Sequence, residues 1–548
     1  MHVSWAAREP HGAWRPLYTG AMNEVVPKNC DVLIVGGGHN GLTAAAYLAQ
    51  AGLNVVVLER LEEWGGAAVS AESFPGVDAR LSRYSYLVSL LPQKIIDDLG
   101  LEITLAKRRY SSFTPVPGTS HGLLIDNHDA DATAASFAAL GASDDSEAWT
   151  DFYARTQVLA GAMFPGVTDP LITRSEAKAL LATREGGSEI WNDFIERPVG
   201  EVIESTFTND VVRGVVLTDG LIGTFAPNHD DNLDANKCFL YHVIGGGTGD
   251  WDVPVGGMGA VSGAILHAAR AAGASLMGGA DVTSVTDDHA VSFFRDGAEH
   301  TIQARYVLVN ASPEELQRLR GHSISDRAEG AQVKVNMVLT RLPQLADPTI
   351  TPAAAFGGTF HINETWSQLA RAHNDATELR IPNPLPCEIY CHSLTDSSIL
   401  SPELAEQGVH TLTVFGLHVP HRLTSAYEPD VLRGTLQQAV IDSLNSVLAE
   451  PIEDLLLRDA NGKPCIETKT TGDLERALRL PGGNIFHGPL AWPFVEDDDD
   501  LGTPAKRWGV ATDDAGILLC GSGARRGGAV SGIAGHNAAM AVLEMENS

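Results

Sequence analysis

Three glycines and one acid carry the clearest chemistry in this chain. Gly36, Gly38 and Gly41 stand in G-x-G-x-x-G spacing, and Glu59 follows about 20 residues later, where a dinucleotide fold places the acid that accepts from a ribose hydroxyl. Gly36 suits a tight turn, Gly38 lets backbone approach a pyrophosphate, and Gly41 lets a helix sit close to its strand, with the helix N-terminus facing the phosphates. An acid at 59 disfavours a 2′-phosphate. Elsewhere, Gln332, Lys334 and Asn336 alternate so that all three fall on one face of a strand, which either lines a site or forms a solvated sheet face. His229, His361, His392, His418 and His487 are candidate general bases by type alone, and a lone histidine is more often a structural hydrogen-bonding residue. Cys387 and Cys391 are not spaced as C-x-x-C, which argues against a redox dithiol. The acidic run 496–500 lacks the spaced oxygen ligands of a calcium loop and reads as solvated surface.

Those residues need a particular scaffold. Residues 31–35 are a short apolar run suited to a strand buried on both faces; Leu42, Ala45, Ala46 and Ala49 follow with helical spacing, Gly52 supplies a stop, and 54–58 is a second buried strand. This is a β-α-β unit. Amphipathic helices are expected over 146–164 and 188–207. Val261, Ala264, Ile265 and Ala268 mark another helix, Gly273 its end, and 280–285 and 301–309 read as strands, with a break at Pro313. Strands are expected at 333–339, 387–392, 410–419 and 516–520, the last turning through Gly521-Ser522-Gly523 into a helix containing Asn537 and Met540.

At 548 residues the chain exceeds one ordinary core, so two intertwined domains are expected. It has no run near the ~18 apolar residues of a spanning helix, so membrane contact is at most peripheral. With 38 basic against 69 acidic residues the net charge is −31, which argues against nucleic acid or an anionic lipid surface as a partner. Six cysteines do not make a disulfide framework and fit the cytoplasm. Residues 1–24 lack the apolar core of a signal peptide and are expected to be loosely draped, with Met22 as a possible internal start. The oligomeric state stays open.

With Gly65-Gly66 following Glu59 after a short polar turn, the stretch from Glu59-Arg60 to Gly65-Gly66-Ala67-Ala68 resembles the extended fingerprint of the amine-oxidase and phytoene-desaturase flavoproteins. Gly38-His39-Asn40-Gly41-Leu42, Ser82-Arg83-Tyr84-Ser85-Tyr86-Leu87 and the turn-rich 481–488 resemble one branch of it. That branch holds desaturase-type carotenoid ketolases and the animal pyridine nucleotide-disulfide oxidoreductase domain-containing proteins.

The resemblance implies FAD, and an α/β fold in which a Rossmann-like FAD-binding domain of glutathione-reductase type is discontinuous in sequence and carries an inserted α+β substrate or cap domain. Its parts would be a flexible extension (1–25), FAD-binding segments (26–110, 251–313 and 471–548), a mainly helical cap (111–250) and a substrate domain with a mixed sheet (314–470). It also implies that Ser82 and Tyr84 pass beside the flavin, that the backbone at Val282 meets the adenine, and that Asn310 belongs to the family's Asn-Ala-Ser-Pro turn. Gly521, Ser522, Val530, Gly532, Ile533 and Asn537 would close over the flavin, the last helix pointing its N-terminus at the ring. Lys334 would correspond to the lysine that holds a water near flavin N5 in some amine oxidases. Where relatives carry His-Pro-Gly-Gly-Gly, this chain has Arg525 and Arg526, which either face flavin or substrate or form a surface turn. The implied activity is hydride removal from a carbon of a largely apolar or isoprenoid-like small molecule, with oxygen or a quinone as acceptor. Alternatives are amine-type C–N oxidation, isomerisation on reduced flavin, or flavin binding without turnover.

Overall fold

The computed structural model describes residues 26–324 and 328–548; the expected N-terminal extension lies outside the described residues. A seven-stranded sheet is built around Asn29–Val35, which pairs in parallel with Ala298–Val309 on one side and Val55–Leu58 on the other. Ser275–Met277 extends it beyond Val55–Leu58, and Ile517–Leu519 pairs with the C-terminal end of Ala298–Val309. The 12-residue strand Ala298–Val309 also begins an antiparallel meander with Ala290–Arg295 and Asp281–Val285.

Both faces of this sheet are covered, which explains the unbroken apolar runs. Val32 and Ile34 pack under helices His39–Gln50, Met258–Ala271 and Ile533–Glu546, whereas Leu33 and Val35 join Val282, Phe293, Leu316 and Leu319 on the other face. The chain does break before Pro313: strand Ala298–Val309 ends, and after a short turn Pro313, with Ser312 as N-cap, opens the helix Pro313–Leu319, where a missing N–H costs nothing.

The second sheet runs Ile466–Lys469, Val333–Leu339, His410–Gly416, Cys387–Tyr390, Thr359–Ile362, Tyr110–Pro115, Gly122–Asp126. The stretch read as mainly helical therefore opens with a hairpin that completes this sheet. One face is apolar: Val333, Val335, Leu412, Val414, Cys387, Ile389, Phe360 and Ile362 pack under helix Pro429–Asn445. The other face carries Lys334, Asn336, Thr413, Glu388, Tyr390 and His361. It is closed by the segment 80–90 and by a helical layer that includes Ser143–Met163, Asp210–Thr218 and Asp234–Val243. The amphipathic stretch at 188–207 forms two helices, Gly187–Trp191 and Val199–Thr206, joined by a π turn.

Candidate active site

The glycine turn has the geometry its spacing requires. Gly36 adopts φ +99°, and a Cβ at Gly41 would lie 2.3 Å from the Gly36 carbonyl oxygen, so turn and helix touch backbone to backbone. Glu59 Oε2 accepts from Gly37 N at 2.7 Å and Oε1 from Leu61 N at 2.9 Å, anchoring the acid at the strand end. Burial raises its pKa while those two N–H groups oppose the shift. Helix His39–Gln50 has no side-chain cap, so its first N–H groups are free to face a phosphate. Asn40 is 1% exposed, and neither its amide nitrogen nor its oxygen has a hydrogen-bond partner among the described residues.

One elongated cavity runs from this turn into the contact between the two sheets. Its nucleotide end is lined by Gly36, Gly38, His39, Asn40, Glu59, Arg60, Gly66, Ala67, Val282 and Asn310. Ion-paired Asp281 and Arg479, 2.7 Å apart, stand at its rim. The inner end is lined by Tyr84, Tyr86, Tyr241, Trp251, Lys334, Phe415, Phe486, His487, Ser522 and Val530. Residues 83–92 are irregular, and Tyr84 to Leu87 and Leu90 run along this wall.

Lys334 is 2% exposed, donates to the Ser82 carbonyl at 2.9 Å and lies 5.3 Å from the centre of the Tyr86 ring. Burial pushes its pKa down to about 7, a value suited to proton transfer near neutrality. Gln332 donates to Gly483 O, and Asn336 accepts from Thr413 Oγ1, so the solvated-face reading of this strand is overturned: all three side chains are buried. His39 and His487 are held neutral by burial, each near 4.

Several expected site residues stand behind the wall instead of in it. Gly65 bridges to Gly38, the Ala68 carbonyl accepts from Ser262 Oγ, Ser82 Oγ accepts from Met258 N, and a Cβ on Gly521 would sit 3.0 Å from Asn310 Oδ1. Gly532 N-caps the last helix, but a Cβ there would meet Thr43 Oγ1 at 3.0 Å and Ile95 at 3.4 Å, which makes it a packing glycine between the two helices. Ile533 is buried, and Asn537 donates to Val167 O at 3.1 Å.

The arginines need the largest correction. Arg526 is 2% exposed and donates to the carbonyls of Gly166, Asp169 and Trp508, while Arg525 donates to those of Trp492 and Phe494. Neither lines the cavity. Both tie the C-terminal loop to neighbouring segments through backbone carbonyls, although Arg526 Nε has no partner among the described residues. Among the remaining histidines, His229 faces Glu204 at the surface, His392 lies 3.3 Å from Asp396, and His418 is buried beside His373 and Phe225. Tyr241, Trp251 and Phe486 were missed because no local pattern marks an isolated aromatic residue as a cavity wall.

A model of the NAD(P)-binding Rossmann-like domain matches residues 34–93. An uncharacterised protein of Mycobacterium tuberculosis is 54% identical over 524 residues, covering 94% of this chain and 97% of that one. The mouse pyridine nucleotide-disulfide oxidoreductase domain-containing protein 2 is 30% identical over 590 residues, covering 97% and 96%. The chain belongs to that family. This oxidoreductase also shares its fold with cyclohexylamine oxidase from Brevibacterium oxydans, at TM-score 0.52 and 14% identity over 95% of this chain and all of the other. The disulfide of the family name has no counterpart at this site: all six cysteines are buried and unpaired, and none lines the cavity. Among the described residues no helix is long and apolar enough to cross a membrane.

Proposed function

We propose that this family member is an FAD-dependent oxidoreductase that removes hydride from a carbon of a largely apolar small molecule. The observation that carries the reading is the single cavity joining a dinucleotide turn to a buried lysine under aromatic walls. The residues present fit FAD. The turn is a cradle that side chains would fill, Glu59 keeps lone pairs for a ribose, and the unpartnered Asn40 amide is buried in the wall beside the uncapped helix. Bound FAD would supply the hydride-accepting ring, and oxygen or a quinone would then take the electrons.

The chain's own residues orient substrate and manage protons. Tyr86, Tyr241, Trp251, Phe415 and Phe486 offer apolar faces that position a hydrocarbon segment and exclude water. Lys334, fixed to the Ser82 carbonyl and held near neutrality, gives up or takes a proton at Nζ. Oxidation of a C–N bond is the second reading, favoured by the same aromatic walls, which suit an amine, and by the fold shared with an amine oxidase.

Anaerobic mixing of FAD-loaded protein with an isoprenoid panel and an amine panel tests this. Bleaching of the flavin absorbance by isoprenoids alone supports the main reading, and bleaching by amines alone selects the second. Protein that never takes up FAD would end both.

A further inference from the structure

A second cavity of ≈280 Å³ lies between the front of the substrate sheet and the helical layer, sharing Tyr86, Leu87, His242 and Trp251 with the first. His361 and Glu388 line it, and Glu364 is buried against His361, so that ligand atoms of the three all lie within 4.8 Å of one another. We propose that these three side chains form a buried binding site for a first-row divalent cation, with Zn²⁺ the best match, open toward the cavity.

The donor set points to a metal for three reasons. Glu364 has a fully buried side chain; its Oε2 lies 2.6 Å from His361 Nδ1, and its Oε1 has no partner among the described residues. A buried carboxylate oxygen without a donor is costly, and a cation removes that cost. Second, the geometry needs little adjustment. A tetrahedral Zn²⁺ with ligands at about 2.0–2.1 Å separates them by about 3.3 Å, so the 2.6 Å gap between His361 and Glu364 must open by about 0.7 Å and the 3.9 Å gap between His361 and Glu388 must close by about 0.6 Å, with the Glu364–Glu388 gap already within 4.8 Å. Third, the surroundings complete a site. Tyr390 Oη donates to Glu388 Oε2 and orients it, as outer partners orient metal ligands. Asp219 lines the same cavity with His361 and Glu388, and Arg108 is the cationic side chain in that wall, already donating to Trp251 O and Thr359 Oγ1. One imidazole with two carboxylates suits Zn²⁺, Mn²⁺ or Fe²⁺ better than Mg²⁺, which prefers oxygen alone and dehydrates reluctantly. Because His361 and Glu388 line the cavity, water or an oxygen of a ligand can reach a bound ion from there.

The site is independent of the flavin reading, and so is its test. Untagged, chelator-treated protein is titrated with Zn²⁺ against a chromophoric competitor, in wild type and in Glu364→Gln and Glu388→Gln, with Mg²⁺ as control. We expect one Zn²⁺ per wild-type chain, at least tenfold weaker uptake in either variant, and a Zn²⁺-dependent rise in Tm in wild type alone. Zinc-edge anomalous scattering from wild-type crystals should place the ion within 2.5 Å of ligand atoms from all three residues, a readout that does not depend on the variants folding. Wild-type uptake no tighter than in the variants, or anomalous density elsewhere, overturns the proposal and leaves the cluster as a proton-sharing network.

Discussion

Replacing Lys334 by methionine tests both the buried amine and its part in the reaction. Burial lowers the lysine pKa from 10.5 to about 7. The folded value lies below the unfolded one, so between them the unfolded chain binds one proton more than the folded chain, and wild-type stability rises with pH. The burial cost is therefore fully present below pH 7 and gone above about pH 10.5. At about 1.4 kcal/mol per pH unit this span corresponds to roughly 5 kcal/mol. Methionine removes that cost but leaves the Ser82 carbonyl without its donor, which costs about 1–3 kcal/mol. The net gain at pH 6 is about 3 kcal/mol, or about 3 °C in Tm if the whole chain melts as one unit. By pH 10 the order should reverse, because the neutral amine still donates to Ser82 O. Calorimetry of flavin-free wild type and Lys334→Met at pH 6, 8 and 10 reads this directly. In stopped flow, flavin reduction should rise with pH through about 7 in wild type and lose that step in the variant. A Tm difference that does not change with pH would refute the depressed lysine, and an unchanged rate profile would remove it from the chemistry.

Glu59→Ala should weaken FAD binding by roughly 1–3 kcal/mol in equilibrium titration, since an unmatched ribose hydroxyl adds to the loss of the anchor on Gly37 N; unchanged affinity would displace Glu59 from the ribose. Gly41→Val should abolish FAD uptake, because its Cβ would lie 2.3 Å from the Gly36 carbonyl, and a variant that binds FAD normally would contradict the cradle. Arg526→Met should lower Tm by several degrees by taking the donor from three carbonyls that this buried side chain ties together, with the rate of flavin reduction in the folded fraction intact; a selective loss of rate would restore the arginine to the site. Gly532→Ala should behave likewise, reducing Tm and leaving the flavin potential unchanged, because its neighbours are Thr43 and Ile95 and not the cavity.

How much of this was legible in the sequence follows from the range of the interactions involved. The turn at Gly36, Gly38 and Gly41, the helix behind it and the acid at Glu59 are set by contacts within one β-α-β unit, so type and spacing suffice. The C-terminal loop was misread because Arg526 reaches the carbonyls of Gly166 and Asp169 and Arg525 those of Trp492 and Phe494, all on other segments of the chain, and no local pattern encodes that. The strands Thr359–Ile362 and Ile466–Lys469 were missed because each is four residues long and interrupted by polar residues, His361 in one and Glu467 and Lys469 in the other. The polar alternation through Gln332, Lys334 and Asn336 was visible, but whether its polar face met water or protein depended on the segment 82–85 laid across it.

That strand face also explains why the second cavity was invisible. Cross-strand register places Lys334 opposite Phe415, Phe415 opposite Glu388, and Glu388 opposite His361. These four residues form one row across four adjacent strands, and at about 4.8 Å per strand it carries the front face about 14 Å from the lysine to the histidine. The strands stand in the order Val333–Leu339, His410–Gly416, Cys387–Tyr390, Thr359–Ile362, which runs against their later order in the chain. Read one strand at a time, each of the four is a single residue between buried neighbours. Assembled, the row links the cavity that suits a dinucleotide to the one that suits a cation. Tyr86, stacked on Tyr390 at 4.2 Å between ring centres, forms part of the wall of both. A substrate long enough to pass that ring would meet the lysine at one end and the carboxylate cluster at the other, so the register of this sheet, more than any motif, sets what the molecule can hold.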